Sequence, residues 1–217
     1  VIETANSDCA SPVVLVPKPD GSMRFCIDYR RLNTLRVRDL YPLPRMDECI
    51  YSLGDAHIFS TLDCNLGYWQ IPVNPSDRAK TTFTSHKGLY WFLRMPFGLQ
   101  NAPVTFQRFV DITLAGLTWK TCLVYLDDII VFPNTAEEHF SHLDEVLHCL
   151  YRADLSLNMK KCHFFKETVS YLVHNIHPGK HSVACNNTSA LNTAKFPTTE
   201  SELRSFLGLC NVYRRFV

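Results

Sequence analysis

Two adjacent aspartates, Asp127 and Asp128, stand between the apolar runs Cys122-Leu123-Val124 and Ile129-Ile130-Val131-Phe132. Two such runs across so short a polar break read as a β-hairpin. Like charges side by side at the tip of a mostly buried hairpin repel each other and lose hydration, a cost that a fold carries where a counter-charge neutralises them. A divalent metal ion is the usual counter-charge. Plain turn chemistry is the competing reading, because Asp is a frequent turn residue. These four residues, Tyr125 to Asp128, do not choose between the two by themselves.

The remaining composition is that of an ordinary folded protein. Of 217 residues, 46% are hydrophobic and 20% charged, enough for a full core and one or two domains. No apolar run approaches the roughly 18 residues of a membrane span, and no charged-then-apolar leader opens the chain. A soluble, cytoplasmic protein with no membrane partner is expected. Nine cysteines without a Cys-x-x-Cys pair point to reduced, mostly buried thiols rather than a zinc site or a disulfide framework. Net charge is only +1, yet residues 151–217 carry nine Lys/Arg against four acids, so this stretch is the one suited to phosphates. The absence of an initiator Met and the helical pattern at the last residues read as a piece of a longer polypeptide.

Strand-like runs at 12–16 and 23–29 flank the turn signal Lys18-Pro19-Asp20-Gly21. Met46, Cys49, Ile50 and Leu53 fall on one face of a short helix. Residues 58–62 predict a buried strand running into Asp63, and residues 69–73 a return to extended structure. Asn101 is placed to cap a helix with the stripe Phe106, Phe109, Val110, Thr113, Leu114 and Leu117. A helix over 136–153 turns Phe140, Leu143, Leu147 and Leu150 inward, and Thr199-Glu200-Ser201-Glu202 is a capping box for a last helix with a core face of Leu203, Phe206, Leu207 and Cys210. Strands and helices mix without βαβ alternation, so an α+β fold with helices on one face of an antiparallel sheet is expected.

Asp63, like the Asp pair, ends an apolar strand, and Asn65, Gly67 and Tyr68 follow it. If the two strands neighbour each other, three carboxylates converge, a set of hard oxygens suited to Mg²⁺ and to nucleotidyl transfer. Lys18 and Arg24 on the N-terminal hairpin are placed to meet an anionic triphosphate, although each could equally be a solvated surface charge.

At this point the residues resemble a known family. Segments 10–18 (ASPVVLVPK), 24–30 (RFCIDYR), 41–44 (YPLP), 59–63 (FSTLD), 95–103 (MPFGLQNAP), 125–128 (YLDD), 160–162 (KKC) and 203–209 (LRSFLGL) together resemble the reverse transcriptase domain of gypsy-type (Metaviridae) long-terminal-repeat retrotransposon polyproteins. The resemblance implies a right-hand polymerase fragment: fingers at 1–38 and 73–95, palm at 39–72 and 96–177, and the start of a thumb at 178–217. It implies an RNA-directed DNA polymerase in which Asp63, Asp127 and Asp128 hold two Mg²⁺ ions, with Mn²⁺ as a substitute. Lys18 and Arg24 would grip the triphosphate, Tyr68 would exclude a 2′-hydroxyl, and Phe97 and Gly98 would line the nucleotide pocket. Lys161, with Lys160 second to it, is the candidate proton donor to pyrophosphate, and Leu172 and Val173 occupy the primer grip. Implied partners are a primer-template duplex (RNA/DNA or DNA/DNA), deoxynucleoside triphosphates and the ribonuclease H and integrase segments of the same polyprotein, inside a virus-like particle if the element is active.

Four positions depart from the family pattern. Val173 replaces a usual Gly, Ala194 a usual Trp and Arg94 an apolar residue, while Pro133 ends the second hairpin strand early. Two readings follow: a working polymerase, or a folded but catalytically silent relic that retains nucleic-acid binding.

Overall fold

The apolar runs beside the aspartates pair as antiparallel strands in the protein's computed structural model, which describes residues 1–18, 21–54, 56–133, 135–172, 174–178, 180–183 and 196–213. In chain order the first elements are β1 (Ile2–Thr4), β2 (Ser11–Pro17), β3 (Met23–Ile27), α1 (Arg30–Thr34), α2 (Met46–Ser52), β4 (Phe59–Asp63) and α3 (Gly67–Gln70). A 3-10 helix (Pro75–Thr81), β5 (Phe83–Ser85), β6 (Gly88–Phe92), α4 (Ala102–Thr113), β7 (Cys122–Tyr125) and β8 (Asp128–Val131) follow. Then come α5 (Ala136–Arg152), β9 (His163–Lys166), β10 (Val169–Tyr171), β11 (His174–His177), β12 (Lys180–Val183) and α6 (Glu200–Tyr213).

Three sheets result, ordered β1-β6-β5-β2-β3, β7-β8-β4-β9 and β10-β11-β12. Pairing among the described strands is antiparallel except between β2 and β5, where Ser11 lies beside Phe83 in parallel register. The four-stranded sheet is covered on both sides, which is why its strands read as unbroken apolar runs instead of alternating ones. Cys122, Val124, Ile129 and Val131 face one core with Phe106 and Val110 of α4 and Leu143, Val146 and Leu150 of α5. Leu123, Ile130 and Phe59 face a second core with Cys49 and Ile50 of α2 and Val169, Tyr171 and Ile176 of the β10-β11 hairpin. The α+β expectation is met, with α2 and the small sheet closing the face that α4 and α5 leave open. Eight free cysteines are present among the described residues, four of them buried.

Several local expectations change. Trp69 and Gln70 belong to α3 rather than to an extended run, because Leu66 turns the chain at φ 52° and the Trp69 N–H closes onto the Leu66 carbonyl at 2.8 Å. Extended backbone starts at Ile71, whose carbonyl accepts from the Met95 N–H at 2.8 Å. Asn101 makes no capping bond to α4; its Nδ2 donates to the Val37 carbonyl (3.0 Å) and its Oδ1 accepts from the Asp39 N–H (3.3 Å), tying a distant segment down instead.

In α5 the inward stripe is His139, Leu143, Val146 and Leu150, while Phe140 is 67% exposed. The buried His139 ring is held there by Ser60, whose hydroxyl lies 2.6 Å from Nε2 and accepts from the Phe165 N–H at 3.1 Å. A polar link to β4 thus takes the place that periodicity assigned to Phe140. The capping box of α6 forms as expected: Thr199 Oγ1 accepts from the Glu202 N–H (3.2 Å) and Glu202 Oε2 from the Thr199 N–H (3.2 Å). Its expected core face is not covered among the described residues, since Leu203 is 45% and Leu207 55% exposed. Arg94 sits at the surface, where Nη1 donates to the Gln70 carbonyl at 2.8 Å. Val173, Ala194, Lys195, Arg214 and Arg215 lie outside the described residues.

Candidate active site

Strand register brings the three carboxylates together at one end of the two central strands, β4 and β8, of the four-stranded sheet. β4 ends on Asp63 and β8 begins on Asp128, and the two are direct Cα partners. Cross-strand partners point their side chains to the same face. The turn between β7 and β8 consists of Leu126 and Asp127, so Asp128 is the first strand residue, opposite Tyr125, and not part of the turn. Leu126 takes φ 54°, a left-handed conformation that costs a residue other than glycine roughly 1 kcal/mol. Gln107 of α4 offsets that cost, since its buried Oε1 accepts from the Leu126 N–H at 2.7 Å.

Burial is the leading cause that pushes the Asp127 carboxyl up to about 6, followed by the charges of Asp128 and Asp63. Asp128 is raised by the same order of causes: burial, then Asp63. Lys161 opposes both shifts, and its Nζ pairs with Asp63 Oδ2 at 3.2 Å. That pair is open to solvent, and exposed pairs of this kind contribute at most about 1 kcal/mol, so a stronger cation can displace it. Asp127 Oδ1 is buried and has no hydrogen-bond partner among the described residues. It rests against Gly67 at the start of α3, where an added Cβ would collide with this oxygen and come within 2.8 Å of Phe106 Cζ.

Tyr68 on α3 lies between Phe97 (5.0 Å between ring centroids) and Phe106 (5.7 Å), its hydroxyl pushed up to about 12 by burial and then by Asp127. Phe97 is 45% exposed, an aromatic surface beside the carboxylates. Gly98 takes φ 91°, and a Cβ there would stand 3.3 Å from the Ile27 carbonyl oxygen. Its carbonyl accepts from Asn33 Nδ2 at 2.9 Å, which ties the strand-α1 unit to this loop.

Other expected residues stand apart from that cluster. Lys18 and Arg24 are on the β2-β3 hairpin of the five-stranded sheet, Arg24 opposite Val16, and among the described residues no ion pair joins them to the carboxylates. Lys160 is exposed beside Lys161. Leu172 is buried at φ 47°, in the two-residue connection of the β10-β11 hairpin. A cleft of about 230 Å³ joins Asp63, Asp128 and Lys161 to His163, Ser170 and Tyr171, so the strand leading into Leu172 borders the carboxylates. Tyr171 stands in the segment expected at the primer grip; its buried hydroxyl lacks a hydrogen-bond partner among the described residues, and desolvation raises its pKa. Gly67, noted in the sequence only as a small residue after Asp63, gains a role as the space beside Asp127, and Gln107 is an addition. Gln107 had a signal: it is a polar residue three before Val110 and seven before Leu114, inside an apolar helical stripe.

Among the described residues no three His, Cys, Asp or Glu side chains are already gathered into a closed metal cluster. Asp63 is turned to Lys161, while Asp127 faces Gly67. The orphaned Asp127 oxygen, the raised carboxyls and an all-oxygen donor set nevertheless fit a hard divalent cation, which removes both the mutual repulsion and the unmet bond.

Two carboxylates thus face each other at the ends of the two central strands, with a third on the left-handed hairpin turn beside them. The chain belongs to the reverse transcriptase (RNA-dependent DNA polymerase) family, whose model matches residues 16–176. It is 41% identical to the retrovirus-related Pol polyprotein from transposon 297 of Drosophila melanogaster and 37% identical to that from transposon gypsy of the same organism. Each alignment takes in 100% of this chain but 21% and 22% of those polyproteins, so the chain spans about a fifth of their length. A foamy viral protease-reverse transcriptase solved with double-stranded DNA superposes with a TM-score of 0.90 at 28% identity, covering 99% of this chain and 38% of that one. Another, with an RNA/DNA hybrid, gives 0.86 at 27%, covering 99% and 29%. The gypsy-type resemblance and the right-hand polymerase fold are thereby borne out.

Proposed function

We propose that this chain is an RNA-directed DNA polymerase domain that adds deoxynucleotides to a primer on an RNA or DNA template. The observation that carries the reading is the register pairing of Asp63 with Asp128 beside the unpartnered Asp127 oxygen. Asp63, Asp127 and Asp128 would hold two Mg²⁺ ions, with Mn²⁺ able to substitute. Such ions activate a primer hydroxyl and stabilise the charge of departing pyrophosphate.

The chain's own groups supply the rest. The five-stranded sheet, built from the segments 1–38 and 73–95, is proposed as the fingers, and Lys18 and Arg24 on its β2-β3 hairpin as the triphosphate grip, Arg24 through a two-pronged contact that a Lys cannot make. Segments 39–72 and 96–177 are proposed as the palm and 178–217 as the start of the thumb. Phe97 and Gly98 would line the nucleotide pocket, with Tyr68 packed against Phe97 beneath the sugar. Lys161, already at the cleft through Asp63, would deliver a proton to pyrophosphate. Leu172, which follows Tyr171 of the cleft wall, and Val173 would seat the primer end.

Primer-template duplex is the proposed partner, in line with the DNA and RNA/DNA hybrid held by the foamy viral enzymes. The basic tract beyond residue 150 would follow its phosphates. Ribonuclease H and integrase segments of a common polyprotein are proposed as further partners, in keeping with the Pol polyproteins it resembles. A cytoplasmic, particle-associated location is proposed with them; no described helix is long and apolar enough to cross a membrane.

The test is extension of an oligo(dT) primer on a homopolymeric RNA template with Mg²⁺ or Mn²⁺. Extension by the wild type and its loss in Asp127→Asn support the reading, and no extension by the folded wild type under either ion overturns it in favour of the silent relic. In the same assay Tyr68→Ala should raise ribonucleotide incorporation relative to deoxynucleotide by at least about tenfold, as expected when a steric barrier is removed. An unchanged ratio would rule out Tyr68 as the sugar gate.

A further inference from the structure

The Leu126-Asp127 turn is held through an amide whose orientation matters. Gln107 is 1% exposed. Its Oε1 accepts from the Leu126 N–H (2.7 Å), while Nε2 donates to the Val124 carbonyl (3.2 Å) and to Asp111 Oδ1 (3.0 Å). All three partners agree on the orientation of this amide: the Leu126 N–H can only donate and takes the oxygen, while the Val124 carbonyl and the Asp111 carboxylate accept from the NH₂ end. Asp111 is the one side chain among these three partners, so it is the one a substitution can remove without touching the backbone.

Asp111 is itself fixed from the far side. Its Oδ2 accepts from the Tyr41 hydroxyl at 2.7 Å, and the Arg108 guanidinium lies 4.8 Å over the Tyr41 ring while bonding both Asp39 oxygens at 2.7 and 2.8 Å. A continuous polar chain therefore runs from Asp39 and Tyr41, through Asp111 and Gln107, to the backbone of the turn that carries Asp127. We propose that Asp111, seated by Tyr41, is a positioning residue that sets the Gln107 amide and through it the Asp127 turn. The proposal rests on the polymerase reading for its catalytic consequence, but not for its structural one.

Gln107→Glu replaces the donor facing Asp111 and Val124 with an acceptor, and adding Asp111→Asn supplies a new donor to it. Asp111→Leu removes the side-chain acceptor that holds Nε2. Hydrogen exchange of the Leu126 amide, read against that of Leu123 in β7 so that a loss of overall stability cancels, reports the turn directly. Protection of Leu126 is expected to fall about tenfold in Gln107→Glu and in Asp111→Leu, the equivalent of about one net hydrogen bond. It should recover about threefold in Gln107→Glu/Asp111→Asn, where the new amide donates to the new carboxylate while the Val124 carbonyl still lacks its donor. Extension kcat should follow the same order with the deoxynucleotide KM unchanged. Equal protection in all four proteins, or no recovery in the double variant, overturns the inference whatever the extension result. Predicted protection without extension by any of the four, wild type included, supports the inference and counts against the polymerase reading instead.

Discussion

Asp127→Asn is expected to yield a protein that is more stable than the wild type at neutral pH and has no extension activity. The Asp127 carboxyl is lifted from the ordinary 3.8 to about 6, chiefly by burial and then by Asp128 and Asp63. A carboxyl with a folded-state pKa above its unfolded value binds its proton more tightly in the native state. Stability is therefore lost as pH rises from 3.8 to about 6, and the full penalty is present above that window. A shift of this size corresponds to about 3 kcal/mol for a fully buried carboxyl; solvent screening of the half-buried Asp127 reduces it to roughly 2 kcal/mol, which for a chain of this length corresponds to about 5 °C in Tm. The amide does not ionise, so the Tm of the variant should lack this part of the pH dependence and exceed the wild-type value by about 5 °C at pH 7.5.

Mg²⁺ at millimolar concentration should raise the Tm of the wild type, since an ion bound only to the native state stabilises it by mass action. It should do far less for the variant. Thermal melts across pH 4 to 8, with and without the ion, check both halves. A pH profile identical in the two proteins would show that Asp127 is not the source of the penalty. This is a stability cost carried for a site: the group that would bind the ion is the one that destabilises the fold without it.

Gly67→Ala should be the most damaging glycine-to-alanine change among the described residues. Its Cβ would overlap Asp127 Oδ1 and press on Phe106, with Cζ at 2.8 Å and Cε2 at 3.1 Å. Phe106 of α4 is fully buried against the sheet, so the lighter hairpin turn is expected to give. Overpacking of this kind costs about 2 kcal/mol, and moving a reacting carboxylate by about 1 Å costs on the order of a hundredfold in rate. Gly208→Ala is the control, because a Cβ there meets nothing within 4 Å in α6, and removing a helical glycine adds up to about 1 kcal/mol. Chemical denaturation and primer extension together decide the matter. Wild-type stability and rate in Gly67→Ala would mean that the turn does not need the empty volume.

Much of the architecture is legible in the residues because it rests on local pattern. Unbroken apolar runs at 122–124 and 129–132 announce a strand pair buried on both faces, and the Thr199/Glu202 box announces the start of α6. Pattern fails where a single polar contact outweighs hydrophobicity. Periodicity prefers Phe140 to His139 as a core residue, yet the Ser60 hydroxyl holds the imidazole inside. Trp69 and Gln70 carry an extended-looking sequence, but the left-handed Leu66 turns the chain and Gln70 is then bound at both ends, its Nε2 donating to the Asn65 carbonyl and its Oε1 accepting from the Ser156 N–H. Asn101 has the chemistry of a cap and spends it on residues 37–39.

The sequence by itself determined the family, the strand ends on which Asp63, Asp127 and Asp128 stand and the charges suited to phosphates, because these depend on residue type and order along one stretch of chain. Only the tertiary structure decided that Asp63 faces Asp128, 65 residues on in the chain, that Gly67 vacates the space Asp127 needs, and that Gln107 links Asp111 to the turn. Those are questions of register, volume and hydrogen-bond direction between distant segments, and they take definite values only once both cores have closed around the sheet.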